Sequence, residues 1–125
     1  MSEIIAIAVG GALGALSRFW ATNLANLLFG SDFPYGIMIV NIAGSFAIGI
    51  VFILLVERSL LPTFLGAGLM VGFLGAFTTF STFSLQALGL LESGRYLAAA
   101  MYIGGSVIIC ILAAALGMLI ARLIP

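Results

Sequence analysis

"GAFTTFSTFSLQ", Gly75 to Gln86, decides how this chain is read. It holds three Thr, two Ser, three Phe and a Gln inside an otherwise apolar stretch. A helix that only has to cross a membrane does not need that polarity. β-Branched Thr and aromatic residues also propagate a helix poorly. Gly72 and Gly75, both helix-weakening, lie just before the Thr pair. The stretch therefore predicts a break between Gly75 and Thr79 in a membrane-spanning helix. Irregular backbone at membrane depth is tolerated only where it is buried in protein or lines a wet cavity. Carbonyls freed there can bind a cation, and the restarted helix presents N–H groups.

Working outward, residues 63–91 form one of four apolar runs. The others are 4–29, 35–56 and 96–123. Each reaches the ~20 residues a membrane helix needs. The third, if helical throughout, is ~43 Å long and has its middle near Phe77. Three short segments punctuate the runs: "GSDFP" (Gly30 to Pro34), "ERSLLP" (Glu57 to Pro62) and "ESGR" (Glu92 to Arg95). Pro62 suits a helix start. Every charged residue except Arg18 falls in a loop or near a terminus. The expected fold is an all-α, four-span membrane domain covering 1–125, with the third helix broken near the midplane.

Composition agrees. Apolar residues make up 64% of the chain and charged ones 6%, against roughly 25% charged in a soluble domain. There is no Lys and no His. No basic patch exists to bind nucleic acid. No His can activate Ser or Cys, no Lys can pair with Ser, and no acid lies inside a span. Enzyme chemistry thus lacks its parts, and a proton-coupled pump lacks its titratable carrier. The single Cys110 has no partner in the chain. The start, Ser2-Glu3-Ile4, has no positive segment and reads as a first span rather than a cleaved signal peptide.

Both termini are expected on one side, with Arg58 and Arg122. Arg95 lies on the other, with Arg18 if it leans that way. Positive residues favour the cytoplasm, and here they give almost no bias. The charges leave two readings open. Either the chain inserts both ways and pairs antiparallel with its own copy, a two-chain form of an inverted repeat, or so few charges do not set orientation.

Several polar residues stand out inside the spans. In "GGALGALSRFW", Gly10 and Gly14 form a small-xxx-small face, with Arg18 one turn further along it. An intramembrane Arg reads as lining or bracing an anion vestibule; the alternative is snorkelling to the interface. In "YGIMIVNIAGSF", Asn41 lies ~10 Å into its helix. It serves either as interhelical glue or as an amide donor toward a pore. Tyr102, Ser106 and Cys110 follow at i+4 steps as one polar stripe, for packing or for passage. Beyond the expected break, Phe80 and Phe83 share a face, with Ser81, Thr82 and Ser84 beside them. Hydroxyls and amides donate to anions, and aromatic edges are weakly positive. The combination suits a small anion shedding water in steps.

"GGALGALSRFW", "VNIAGSFAIG" and above all "GFLGAFTTFSTF" resemble the signatures of the Fluc family of fluoride channels. The match touches three of the four spans in order. The resemblance implies a multi-pass protein of a microbial plasma (inner) membrane that exports cytoplasmic fluoride passively. It implies an antiparallel, dual-topology homodimer with two pores. By the same resemblance Phe80 and Phe83 form the pore-facing pair, and Asn41, Ser81 and Thr82 are polar pore contacts. Tyr102 and Ser106 belong to a polar track, and Arg18 sits in a vestibule. Gly75 and Thr78 offer backbone carbonyls to a structural sodium ion at the dimer interface. The implied partners are fluoride, a second copy and the lipid bilayer. Phe19, where the pattern has Tyr, and Ile37, where it has Thr, depart from it. Cys110 continues the stripe with a weaker donor than a hydroxyl. A small dual-topology multidrug exporter would need a Glu inside the first span, and Glu3 lies at the terminus. A non-transporting tetraspan scaffold would explain the glycines but not the Thr–Phe cluster.

Overall fold

A computed structural model of the chain describes residues 1–125. It is all-helical, with four helical runs long and apolar enough to cross a membrane: Ser2–Phe29, Tyr35–Glu57, Thr63–Glu92 and Tyr96–Leu123. These match the expected runs to within two residues at each end. We label Ser2–Phe29 α1, Tyr35–Glu57 α2, residues 63–77 α3, Phe80–Glu92 α4 and Tyr96–Leu123 α5. Pro62 lies just before α3 rather than in its first turn (φ −55°, ψ 144°).

Backbone contact between glycine-bearing faces sets the layout. α1 packs on α3 and α2 on α5. A Cβ on Gly14 would overlap the Phe73 carbonyl, and one on Gly10 the Gly68 carbonyl. The α2–α5 pair is reciprocal, with Gly49 against the Ala114 carbonyl and Gly117 against that of Phe46. Small residues let the helices approach closely where no water is available to drive association.

The helices are not regular throughout. Residues Gly68–Leu74 of α3 and Ile53–Glu57 of α2 are wound wider, with i→i+5 hydrogen bonding. Such bulges leave no mark in hydropathy. Between α3 and α4 the backbone is extended at two residues, Thr78 (φ −83°, ψ 157°) and Thr79 (φ −150°, ψ 124°). Gly75, which the sequence reading included in the weak segment, is helical (φ −62°, ψ −36°). The extended residues are therefore the two Thr, which have specific hydrogen-bond partners, and not the glycine.

Only 20 of the 125 residues are buried, and most large apolar side chains of α1 and α5 point outward. Such surfaces match lipid and would be untenable in water. The core cluster joins Ile37 of α2, Phe83, Ala87 and Leu90 of α4, and Ala99 and Tyr102 of α5. At one end of the bundle Arg122 pairs with Glu57 at 2.7 Å, and Arg58 donates to the Ile124 carbonyl at 2.7 Å. At the other end Arg95 donates to the Asp32 carbonyl.

Candidate functional site

The Thr78–Thr79 segment is held by side chains from two elements. Asn41 of α2 faces it and forms a two-point clamp. The Thr79 N–H donates to Asn41 Oδ1 at 2.8 Å, and Asn41 Nδ2 donates to the Thr79 carbonyl at 3.0 Å. The amide thus satisfies both backbone polar groups of Thr79, which no helix partners. Asn41 is therefore glue between elements, as one reading of the sequence held, and it also borders a cavity described below.

Thr79 is also the N-cap of α4. Its Oγ1 accepts from the Thr82 N–H at 3.3 Å and donates to Thr82 Oγ1 at 3.2 Å, and Ser81 Oγ lies 3.3 Å from it. A Thr cap satisfies an orphan N–H of the first turn. Thr79 was not among the residues singled out from sequence. Its signal was there: a Thr directly before a helical run, with a hydroxyl residue three positions on.

The break leaves the carbonyls of Gly75 to Thr78 without helical donors, and these bonds account for the donors of two of them. In a continuous helix Gly75 would receive the N–H of Thr79, and Thr78 that of Thr82. The first goes to Asn41 and the second to Thr79 Oγ1. Leu74, one residue earlier, keeps its donor, the Thr78 N–H at 3.1 Å, and also accepts from Thr78 Oγ1 at 3.0 Å.

A cavity of about 360 Å³ opens beside this segment, between α2, α4 and α5. Asn41, Gly75, Thr78, Thr79, Phe80, Phe83, Ser106 and Cys110 all border it. Its remaining lining includes Gly44 and Ser45, the residues one turn beyond Asn41. The walls are mostly apolar with a few convergent polar groups, the usual make-up of a small-ligand site. Phe80 is 76% exposed at its mouth, and Phe83 is 7% exposed at its inner side. Their ring centroids lie 5.4 Å apart, tilted by 39°.

The α5 stripe divides here. Ser106 and Cys110 reach the cavity. Ser106 is 4% exposed, and its hydroxyl has no hydrogen-bond partner. A buried hydroxyl left unpaired costs ~1–3 kcal/mol and needs an explanation. Tyr102 lies outside the cavity wall, fully buried, with Phe83 at 5.1 Å and Phe33 edge-on at 5.6 Å. Its hydroxyl donates to Gln86 Oε1 at 2.8 Å. Gln86 in turn borders a second, more polar groove of about 330 Å³, with Asn26, Asp32, Ser93 and Arg95. Sequence reasoning noted Gln86 without giving it a task; the helix period alone did not pair it with Tyr102, 16 residues away. Ser81, Thr82 and Arg18 do not border the main cavity. The two hydroxyls turn to Thr79. Arg18 is half-buried on α1, and the chain's one ion pair is Arg122–Glu57.

Comparison with known proteins places this arrangement. Residues 5–118 match the family model described as CrcB-like protein, Camphor Resistance (CrcB). The chain is 45% identical over 120 residues to the "Fluoride-specific ion channel FluC" of Methylococcus capsulatus, covering 96% of this chain and 53% of that protein. It is 44% identical to the protein of the same name from Magnetococcus marinus, over 98% of this chain and 99% of the other. For the namesake of Geobacter metallireducens the identity is 42%, over 98% of each chain. The chain spans about half the length of the Methylococcus relative and nearly all of the other two. This chain belongs to the CrcB-like (Fluc) family.

Proposed function

We propose that the chain is a passive, fluoride-selective channel of a bacterial inner membrane and has no catalytic role. The relatives' names and the four apolar helices support this reading. The observation that carries it is Ser106: a buried hydroxyl without a partner, on a residue that borders a cavity shared with Asn41, Phe80 and Phe83. Fluoride is a small, strong acceptor, and it gives that donor a partner. The remaining Nδ2 proton of Asn41 and the positive edges of the two rings offer it further contacts. Tyr102 acts beside the path by fixing Phe83 and Gln86. Ser81 and Thr82 act on it through Thr79, and Arg18 contributes positive charge nearby. No acid borders the cavity, so a cation finds no counter-charge there.

The working unit is an antiparallel, dual-topology homodimer with two pores. Phe80, exposed at the cavity mouth, leaves a wall for a second copy to complete. The near-balance of Arg58 and Arg122 at one end against Arg95 at the other suits insertion in both directions.

A sodium ion is part of the same reading, and the residues fit it. The Gly75 and Thr78 carbonyls have lost their helical donors, and two antiparallel copies would bring four such oxygens together. Hard, uncharged oxygen ligands suit sodium. The ion would brace the interface and add positive charge near the passing anion. Removing sodium from the purified protein should weaken assembly and flux; unchanged assembly and flux would contradict this part of the reading.

Proteoliposomes loaded with fluoride test the function. Efflux down the gradient, without a proton gradient, is the expected result. Silence toward fluoride would favour the scaffold, and drug efflux coupled to protons the multidrug exporter.

A further inference from the structure

The break frees the carbonyls of Gly75 to Thr78, and for two of them, Gly75 and Thr78, the structure shows which group holds the lost donor. In both cases it is a particular side-chain oxygen. Asn41 Oδ1 takes the Thr79 N–H at 2.8 Å, and Thr79 Oγ1 takes the Thr82 N–H at 3.3 Å. The diversion begins at the break, since the Leu74 carbonyl just before it keeps both a backbone N–H and a hydroxyl. It is also reinforced: Asn41 Nδ2 occupies the Thr79 carbonyl, so the clamp cannot rotate without losing a second bond.

We propose that Asn41 and Thr79 are positioning residues for the cation site. They hold the Gly75 and Thr78 carbonyls open by removing the two N–H groups that would otherwise close on them. This rests on the reading above that those carbonyls bind sodium. Asn41, Thr79, Gly75 and Thr78 all border the cavity that also holds Phe83 and Ser106. The clamp therefore joins the cation site to the anion path through one amide. A change at Asn41 acts on both, and its effect on flux is not evidence of anion contact alone.

The test is a sodium titration of the purified full-length protein in detergent, with N-methylglucamine chloride holding ionic strength constant. Unfolding temperature and dimer fraction are read at each sodium concentration, independently of transport. Parent protein should be stabilised by sodium. Asn41→Ala and Thr79→Val should need about tenfold more sodium for half-maximal stabilisation, because an N–H competes for each carbonyl. Thr79→Ser and Asn41→Asp keep the accepting oxygen and should need no more sodium than the parent. Thr79→Val leaves the backbone bonds to Asn41 available and carries the test if Asn41→Ala does not fold. A uniform loss of stability with an unchanged half-maximal sodium concentration would mean a purely structural clamp and would overturn the proposal. A parent that does not respond to sodium at all would overturn the cation reading, and this proposal with it.

Discussion

Phe80 and Phe83 lie with ring centroids 5.4 Å apart on the first turn of α4, yet one is 76% exposed and the other 7%. Packing explains Phe83, which touches Tyr102 in the core cluster. It does not explain Phe80, which spends a large aromatic surface at the mouth of a cavity. The pair therefore separates two roles that a membrane Phe usually combines. Substitution should separate them further.

Phe83→Ile should cost ~1–3 kcal/mol of stability from lost core contact, and Phe80→Ile close to nothing in the separated chain. Both should nonetheless lower fluoride flux severely, because an aliphatic surface lacks the positive ring edge. Met, soft and polarizable, should be milder than Ile at either position. Efflux from liposomes with equal amounts of folded protein gives the comparison. Parent-rate flux in both Ile variants would show that the rings only pack.

Ser106→Ala removes a buried hydroxyl that has no partner in the chain. Stability should be unchanged or rise by ~1 kcal/mol, since an unpaired polar group is lost. Fluoride flux should fall. Thermal unfolding and efflux on one preparation separate these effects. A variant that loses stability and keeps its flux would point to an unseen packing bond instead.

Asn41→Asp keeps the acceptor for the Thr79 N–H but loses the donor to the Thr79 carbonyl, and it adds negative charge to the cavity. The protein should fold with a penalty of ~1–3 kcal/mol and conduct fluoride poorly. Normal flux in a folded Asn41→Asp protein would count against Asn41 as part of the path.

The near-equal Arg balance predicts dual insertion. Reporters fused to the C-terminus should appear on both sides of the membrane in comparable amounts. Adding two Lys next to Arg58 and Arg122 should fix the orientation and reduce active dimers. A parent found in a single orientation would refute the antiparallel assembly.

The spans were legible in the sequence because hydropathy over ~20 residues carries a strong signal and charges mark the turns. Gly10 and Gly14 could be read as a contact face, since only small residues permit backbone approach. The wide turns at Gly68–Leu74, where Gly68 and Gly72 lie against Ala6 and Ile7 of α1, were not legible, because hydropathy does not mark them. The weak segment was read as Gly75 to Thr79, but the extended residues are Thr78 and Thr79 alone. Glycine permits a break, whereas the Asn41 amide, 38 residues away, fixes where the backbone departs. The partnership of Tyr102 with Gln86 was hidden for the same reason. For the break and for Tyr102 the missing information was a hydrogen bond between residues distant in sequence, which no local pattern encodes.

The most direct test of the central claim is the reversal potential of the purified protein in a planar bilayer, under opposed gradients of fluoride and chloride. A fluoride-selective pore gives a current that reverses at the fluoride equilibrium potential, ignores chloride and needs no proton gradient. A reversal that follows chloride, or the absence of any fluoride current from dimeric protein in sodium, would contradict it.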